Sequence, residues 1–430
     1  MKVIVPSSIT ATATLTRAST ATWFDYFGTL QTAAVNDLRQ AWDPETHDYL
    51  GAIVEPASTN LILNSATLST QTVNVSNGVT YTLSFFGTGS VTLSGANGST
   101  VYGGGTPTTR RKTLTFTASA STVTLTVSGS VTRAQLEAQS VSTSYIPTTS
   151  VAVTRAADVI TGYGPFTSSF AESTATYAAG TTYALDAPVN YGGSIYQSLQ
   201  AGNVGHTPTT SPTWWLYVGP NNTWAMFDTS INTQSIGTST GVGELVAIKL
   251  PSAVNAVALV NCEATFAHVI ISNGYSQFAS VGKTVAFTDI GLYSDTSGTI
   301  VTAYVINSAA PARIGAMVCG VTQELGATQY GMSVSMIDYS KKETSPTGVI
   351  TLIERPFSKR LSAQVMLTKD QYNAVLDTLF ALRAKASVYI ATEDISYASG
   401  AVIYGFLRDF RLTIDYPDEN LCSIEIESLT

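Results

Sequence analysis

The chain has 430 residues and a net charge of −8 at pH 7, and charged residues make up only 12% of it, against roughly 25% in an average soluble domain. That length can hold several cores, a hydrophobic fraction of 44% argues against disorder, and the acidic balance argues against a nucleic-acid partner. Three scattered cysteines, Cys262, Cys319 and Cys422, give neither a disulfide framework nor zinc spacing. They are expected as reduced thiols in apolar strands.

Residues 1–60 carry small and polar residues with scattered aromatics: Trp23, Phe24, Tyr26, Phe27, Trp42 and Tyr49. They read as an irregular N-terminal assembly segment that needs a neighbour to pack on. The opening Met1-Lys2-Val3-Ile4-Val5-Pro6 lacks the long apolar run of a secretion signal. Residues 61–158 alternate hydroxylated and apolar side chains, as in Val79–Phe85, Thr113–Thr117 and Thr122–Val127. Period two places one face in a core and one in solvent. Breaks such as Gly87-Thr88-Gly89 and Gly103-Gly104-Gly105 separate the strands, so a β jelly roll is expected here.

Residues 159–235 lose almost all charge and gain proline, glycine and aromatics, which predicts a small loop-rich β module. Residues 236–335 return to apolar runs, Leu245–Leu250, Val257–Val260 and Ile300–Ile306, and read as a second β-sandwich-like unit. Its most apolar stretch, Ala253–Ile271, is interrupted by Asn255, Asn261, Glu263 and His268, so no membrane insertion is expected.

Residues 336–430 carry the one clear helix signal. Thr368-Lys369-Asp370-Gln371 has the pattern of a capping box. Tyr372, Val375, Leu376, Leu379 and Leu382 follow at helical spacing. Leu361, Ala363, Val365 and Leu367 alternate before it; Phe410, Leu412, Ile414 and Tyr416 face Cys422, Ile424 and Ile426 across the turn at Pro417-Asp418-Glu419-Asn420. The order β-α-β-β-β predicts an α+β domain with one helix over a curled sheet. The fold class expected for the whole chain is mainly β and multi-domain.

Motifs of chemistry mostly fail their own requirements. Gly237-Thr238-Ser239-Thr240-Gly241 matches a nucleophile elbow in spelling only, since no helix pattern follows and His268 is the one later histidine; a plain turn is expected. Gly282-Lys283-Thr284 lacks the first glycine of a phosphate loop, with Gln277 in its place. His47, His206 and His268 have no second metal ligand at spacing, and the cluster Asp43-Pro44-Glu45-Thr46-His47-Asp48 reads as a solvated turn. A hydrolytic carboxylate pair such as Asp25 with Glu55 is not selected by anything nearby. No catalytic residue, metal or cofactor is expected.

Three segments resemble known families. Leu50-Gly51-Ala52-Ile53-Val54-Glu55-Pro56-Ala57-Ser58-Thr59-Asn60-Leu61-Ile62 resembles a recurrent stretch of phage fibre and spike proteins. The sequel is also present: Gln135-Leu136-Glu137-Ala138, Thr143-Ser144-Tyr145-Ile146-Pro147-Thr148 and Thr154-Arg155-Ala156-Ala157-Asp158. This likeness, over about residues 17–160, implies a lectin-like jelly roll. Ala175 to Val218 resembles a small chitin-binding type of carbohydrate-binding module, through Tyr177–Tyr183, Val189–Gly193, Ile195–Leu199, and His206-Thr207-Pro208 leading to Trp214-Trp215. It departs where Ser198 and Leu199 replace the exposed aromatic pair of such modules. Ile350 to Leu429 resembles, in pattern, the split-barrel units of phage tail-tip and baseplate proteins.

These likenesses imply a virion structural protein of tail tip, baseplate or fibre that aids host attachment by weak multivalent glycan binding. It would be released by lysis and would be a homo-oligomer, a trimer or a ring. Its partners would be other virion structural proteins and a host cell-surface glycan. Tyr183, Tyr191, Tyr196, Trp214 and Trp215 are the candidate glycan-binding residues, with Trp214 or Trp215 as the core of a tiny domain standing as the alternative. A purely structural head or tail decoration protein and a polysaccharide depolymerase are the competing readings of function.

Overall fold

Alternating threonine and aliphatic residues build a two-sheet sandwich within Thr12–Gly162, one of two compact units; Met1–Ala11 with Tyr163–Thr430 forms the other. The computed structural model describes all residues except 10, 44–45, 48, 104–110, 272–274, 281–283, 291–297, 345–347, 393–397, 415–417 and 430. Parts of four expected features lie outside the described residues: the break at Gly104-Gly105, the cluster at Pro44-Glu45 and Asp48, the Gly282-Lys283 pair, and the Tyr416-Pro417 corner. The protein is mainly β and multi-domain, with sandwich units, a small loop-rich module and one substantial helix against a C-terminal sheet.

In the Thr12–Gly162 unit, a four-stranded sheet (Thr100–Tyr102, Ser90–Gly95, Thr122–Ser128, Gln71–Asn74) faces a three-stranded one (Lys112–Thr117, Thr80–Phe86, Thr132–Glu137). Leu83, Phe85, Val91, Leu93, Val123, Leu125 and Leu136 fill the space between them. The strand Thr80–Phe86 departs from the expected one-sided burial: Thr82 and Ser84, placed in solvent by simple alternation, are buried. Their outer face is covered, because Thr82 Oγ1 donates to the Gln139 carbonyl at 2.8 Å and Arg111 donates to Ser84 Oγ at 2.7 Å.

Residues 12–60, expected as part of a separate N-terminal segment, fold with the sandwich. They form two-stranded pairs, Ala21–Phe24 with Leu30–Ala33 and Arg39–Trp42 with Tyr49–Ile53, inside the same compact unit as the sandwich. Beneath them lies a buried charge cluster. Arg17 meets Asp158 at 2.9 Å, Arg39 meets Glu55 at 3.0 Å, and Arg155 reaches Glu55 at 3.3 Å and Asp158 at 3.6 Å. Ser144 donates to Glu55 through both its N–H and its hydroxyl, and Glu137 accepts from Ser58 and the Thr143 N–H. The landmarks that resemble spike proteins therefore act here as internal struts.

In the other unit the first residues are central to a sheet. Lys2–Pro6 lies between Ala316–Glu324 and Ser387–Ile390, with Val3 and Ile4 fully buried. Ten strands join in that sheet, from Val285–Phe287 at one end to Ala327–Thr328 and Ser333–Asp338 at the other. The expected units 236–335 and 336–430 thus share one sheet, stitched by the N-terminal strand. A second sheet of five strands (Gly164–Ser168, Gly243–Leu250, Thr299–Ile306, Phe266–Ile271, Tyr275–Ser280) packs on part of it. Val246, Ile248, Val269, Val301 and Val305 meet Val257, Leu259 and Cys319 in the core between them.

The C-terminal order is as the pattern predicts: Phe357–Thr368, helix Tyr372–Ala381, then Ser387–Ile390, Val402–Thr413 and Glu419–Ser428. Both halves of the capping box form, with Gln371 Oε1 accepting the Thr368 N–H at 3.1 Å. Val375, Leu379 and Leu382 bury one helix face against Leu361, Val365, Ile424 and Ile426, each fully buried aliphatic contributing about 1.5–3 kcal/mol. Phe410 pairs with Ile424 and Leu412 with Cys422, after an irregularity between Leu407 and Asp409.

Candidate ligand-binding face of the small aromatic module

The module begins after Glu172. One oxygen of this carboxylate accepts the Thr174 N–H at 2.6 Å, the other the Asn222 N–H at 2.7 Å, so it ties the segment entering the module to the turn that leaves it. Burial by itself raises the Glu172 pKa, but the donors Asn222, Thr174 and Ser173 outweigh it and hold the carboxyl below its usual range. Between these points run three antiparallel strands: Pro188–Tyr191, Ser194–Ser198 and Trp215–Pro220. Gly192 and Gly193, both at positive φ, make the two-residue hairpin turn between the first two. A Cβ on Gly193 would stand 2.7 Å from the Trp224 ring, so the indole packs directly on that backbone.

The structure separates the five candidate side chains into three groups. Trp215 is a core residue, 3% exposed, with its indole N–H on the His206 carbonyl at 2.7 Å. It offers no face to a ligand. Tyr183 lies edge-on to Trp215 at 5.3 Å and stacks with Tyr177 at 5.8 Å; Tyr191 meets Tyr177 edge-on at 5.6 Å. These half-buried tyrosines wrap the tryptophan and make the core of a module too small for an aliphatic one. Tyr183 is fixed further by its hydroxyl, which accepts the Ala178 N–H at 2.7 Å.

Tyr196 and Trp214 are likewise only partly exposed, but they pack outside that ring cluster. Tyr196 pairs edge-on with Tyr217 at 5.8 Å, and Tyr217 is 57% exposed between the exposed Leu216 and Val218. Trp214 stacks flat on His206, with ring centres 4.0 Å apart and planes 11° off parallel. Asp186 is the one ionised side chain between Thr174 and Phe227. Tyr217 was missed in the sequence because it follows a buried tryptophan by two positions, which reads as a core-facing alternation. Its neighbour across the strands, Tyr196, was the available signal.

The other groups singled out in the sequence are held by structural partners. Asp25 accepts the N–H groups of Phe27 and Thr29, both at 2.9 Å, and the Gln31 amide at 2.7 Å. Slight burial works the other way, yet these donors hold its carboxyl below the usual value, the wrong direction for a general acid. Glu55 is engaged by Arg39, Arg155 and Ser144. Gly237-Thr238-Ser239-Thr240 lies in the strand Ser235–Thr240 rather than in a plain turn or at a strand-to-helix corner. Among the described residues no group of three potential metal ligands gathers, and no helix is long and apolar enough to cross a membrane, which does not bear on β-barrels. Cys262, Cys319 and Cys422 are buried and unpaired, Cys262 just outside a strand and the others within strands.

No protein-family model and no curated protein sequence matches the chain. Solved structures with a weak likeness include a family 78 rhamnosidase of Bacillus sp. GL1, at 10% identity and a TM-score of 0.18, covering 78% of this chain and 36% of that one. The chain therefore spans about a third of that enzyme's length. A second is the lectin of Pleurotus ostreatus in its apo form, at 12% identity and a TM-score of 0.14, covering 83% of this chain and 88% of that one. At these TM-scores neither carries an argument about fold or function.

Proposed function

We propose that the chain is a structural, non-enzymatic component of a phage particle that contributes to host attachment by weak, multivalent contact with surface glycan. The observation that carries the glycan part is the Tyr196–Tyr217 pair, with Tyr217 exposed in a nearly charge-free module and the Trp214–His206 stack as a second flat surface. A pyranose ring presents an apolar C–H face, and aromatic rings are the side chains that match it. One such contact is worth about −4 kcal/mol, a dissociation constant near ~1 mM. Many copies on one particle raise the avidity by roughly 10² or more, so the reading includes assembly as a trimer or ring.

The assembly part is supported by a ribbon in the C-terminal region. Among the described residues Lys341–Thr344 pairs only with Ile350–Ile353, and every residue of both strands is exposed, Leu352 at 76%. An isolated two-stranded ribbon is marginal in water, so in this reading it docks on neighbouring virion proteins.

The test is Tyr217→Ala and Trp214→Ala, each made in the full chain and checked by circular dichroism, with adsorption of assembled particles to host cells as readout. Folded variants that adsorb poorly support the reading. Folded variants that adsorb normally remove the module from it. Particles that show no chain by antibody-labelled electron microscopy would remove the virion assignment itself.

A further inference from the structure

The unit Thr12–Gly162 holds a cleft of about 640 Å³ that the reading above does not use. One wall comes from the paired strands of residues 21–33 and 39–53 and presents Trp23, Phe24, Trp42 and Ile53. The other presents Phe86, Arg111, Lys112 and the segment Ser142–Tyr145. A volume in this range, with aromatic walls and a few polar groups, is the usual form of a small-ligand site.

The aromatic wall continues outward as a fixed array. Tyr26 stands edge-on to Trp42 at 5.4 Å and to Phe27 at 5.3 Å, and Trp42 tilts against Tyr49 at 4.8 Å. Phe27 is 80% exposed at the tip. Burial does not hold it there; the Asp25 carboxylate does, by taking the N–H groups on either side of Gly28. A turn tied in this way fixes the backbone that carries the rings and so lowers the ordering cost at binding.

Charge identifies the ligand further. The cluster beside the cleft balances three arginines, Arg17, Arg39 and Arg155, against three carboxylates, Glu55, Glu137 and Asp158, and Arg111 stands next to it as a fourth, partly exposed cation that makes no ion pair among the described residues. The surplus is one positive charge. Arg111 faces the cleft, anchored by the Thr143 carbonyl and Ser84 Oγ. Lys112 lies beside it and makes no ion pair among the described residues. Arg133 adds a third cation behind the wall, over the Phe24 and Phe86 rings at 5.4 and 5.7 Å. Of the two carboxylates at the cleft, Glu55 is taken by Arg39 and Arg155, while Asp43 accepts the Thr46 N–H and keeps its negative charge, so Arg111 and Lys112 together leave the cleft one positive charge in excess. In a chain of net charge −8, this is a positive corner beside an aromatic wall.

We infer that the cleft binds an acidic saccharide, its ring against the Trp23–Trp42 wall and its carboxylate at Arg111 and Lys112. The site is separate in the chain from the Tyr196–Tyr217 face and takes a different sugar chemistry. Either can fail alone.

The test titrates the full chain with three acidic probes, a galacturonate oligomer, a hyaluronan oligomer and a sialylated oligosaccharide, following tryptophan fluorescence. A neutral malto-oligosaccharide and a glutamate hexapeptide serve as comparisons. At least one acidic sugar is expected to bind saturably, less tightly as salt rises, and more tightly than either comparison. Lys112→Gln should weaken it about fivefold, the worth of one screened charge pair near 1 kcal/mol. Phe27→Ala and Trp42→Ala should weaken it too; Lys112→Gln and Phe27→Ala decide the matter if Trp42→Ala fails to fold. Tyr217→Ala should leave it unchanged. No binding of any acidic sugar, equal binding of the peptide, or insensitivity to Lys112→Gln and Phe27→Ala overturns the inference. Loss with Tyr217→Ala instead would assign the acidic sugar to the small module and leave the proposed function standing.

Discussion

Arg39 and Asp158 meet at 2.5 Å with both side chains fully removed from water. They are 119 residues apart in sequence, and the same carboxylate also holds Arg17 at 2.9 Å. A buried cluster of this kind contributes little over an apolar replacement, but breaking it is costly because the remaining charges stay buried. Asp158→Asn should therefore destabilise the Thr12–Gly162 unit by about 3–5 kcal/mol. Urea denaturation followed by tryptophan fluorescence measures this, and a loss under about 1 kcal/mol would mean the cluster is far better hydrated than the structure has it.

The two adjacent tryptophans should behave oppositely. Trp215→Ala removes the centre of the Tyr177–Tyr183–Tyr191 cluster and leaves a cavity, at a cost of about 3–5 kcal/mol. Trp214→Ala gives up a half-exposed stack on His206 and should leave the module folded. Proteolysis of the segment 174–222 under native conditions separates the two outcomes.

Glu172 makes module closure sensitive to acid. Its folded pKa lies below the usual value, so its contribution is present above the unfolded value of about 4.3 and is lost as pH falls through the lower folded value. Glu172→Gln should cost about 1 kcal/mol once solvent screening is allowed for, and should flatten the acid limb. Hydrogen exchange at the Thr174 and Asn222 amides between pH 5 and 3, on the wild type and the variant, is the readout.

The three cysteines should be inert until the chain unfolds. Burial pushes Cys262 and Cys319 up to about 12, Glu263 adding to the effect at Cys262, and pushes Cys422 up to about 11. At pH 8 an alkylating reagent should label none of them quickly in the native protein and all three in denaturant. Above about pH 8.5 the unfolded chain ionises thiols that the folded chain keeps protonated, so stability should fall with rising pH. Rapid native labelling of Cys319 would contradict its place in the core.

The exposed ribbon predicts a change in assembly without a change in stability. Leu352→Asp should shift unfolding by less than about 0.5 kcal/mol while lowering incorporation of the chain into particles. Incorporation equal to wild type would place the docking surface elsewhere.

Local pattern alone determined the elements whose signal is carried by near neighbours. The capping box at Thr368–Gln371, the helix face of Val375 and Leu379, and the pairing of Phe410 with Ile424 depend on spacing within a few turns or across one hairpin. Sequence composition likewise fixed the mainly β class and marked the aromatic module. The tertiary structure decided what long-range contacts control. Lys2–Pro6 looks like a loose end and becomes a central strand because partners more than 300 residues away complete its hydrogen bonds. Glu55, Arg155 and Asp158 are legible as landmarks, yet only folding shows that they neutralise one another. Trp214 and Trp215 are identical as letters; Trp215 opens the strand and is buried in the core, while Trp214, in the turn before it, stays partly exposed against His206. The cleft between Trp42 and Arg111 joins strands distant in sequence, and burial and charge at such a junction are properties of the assembled fold alone.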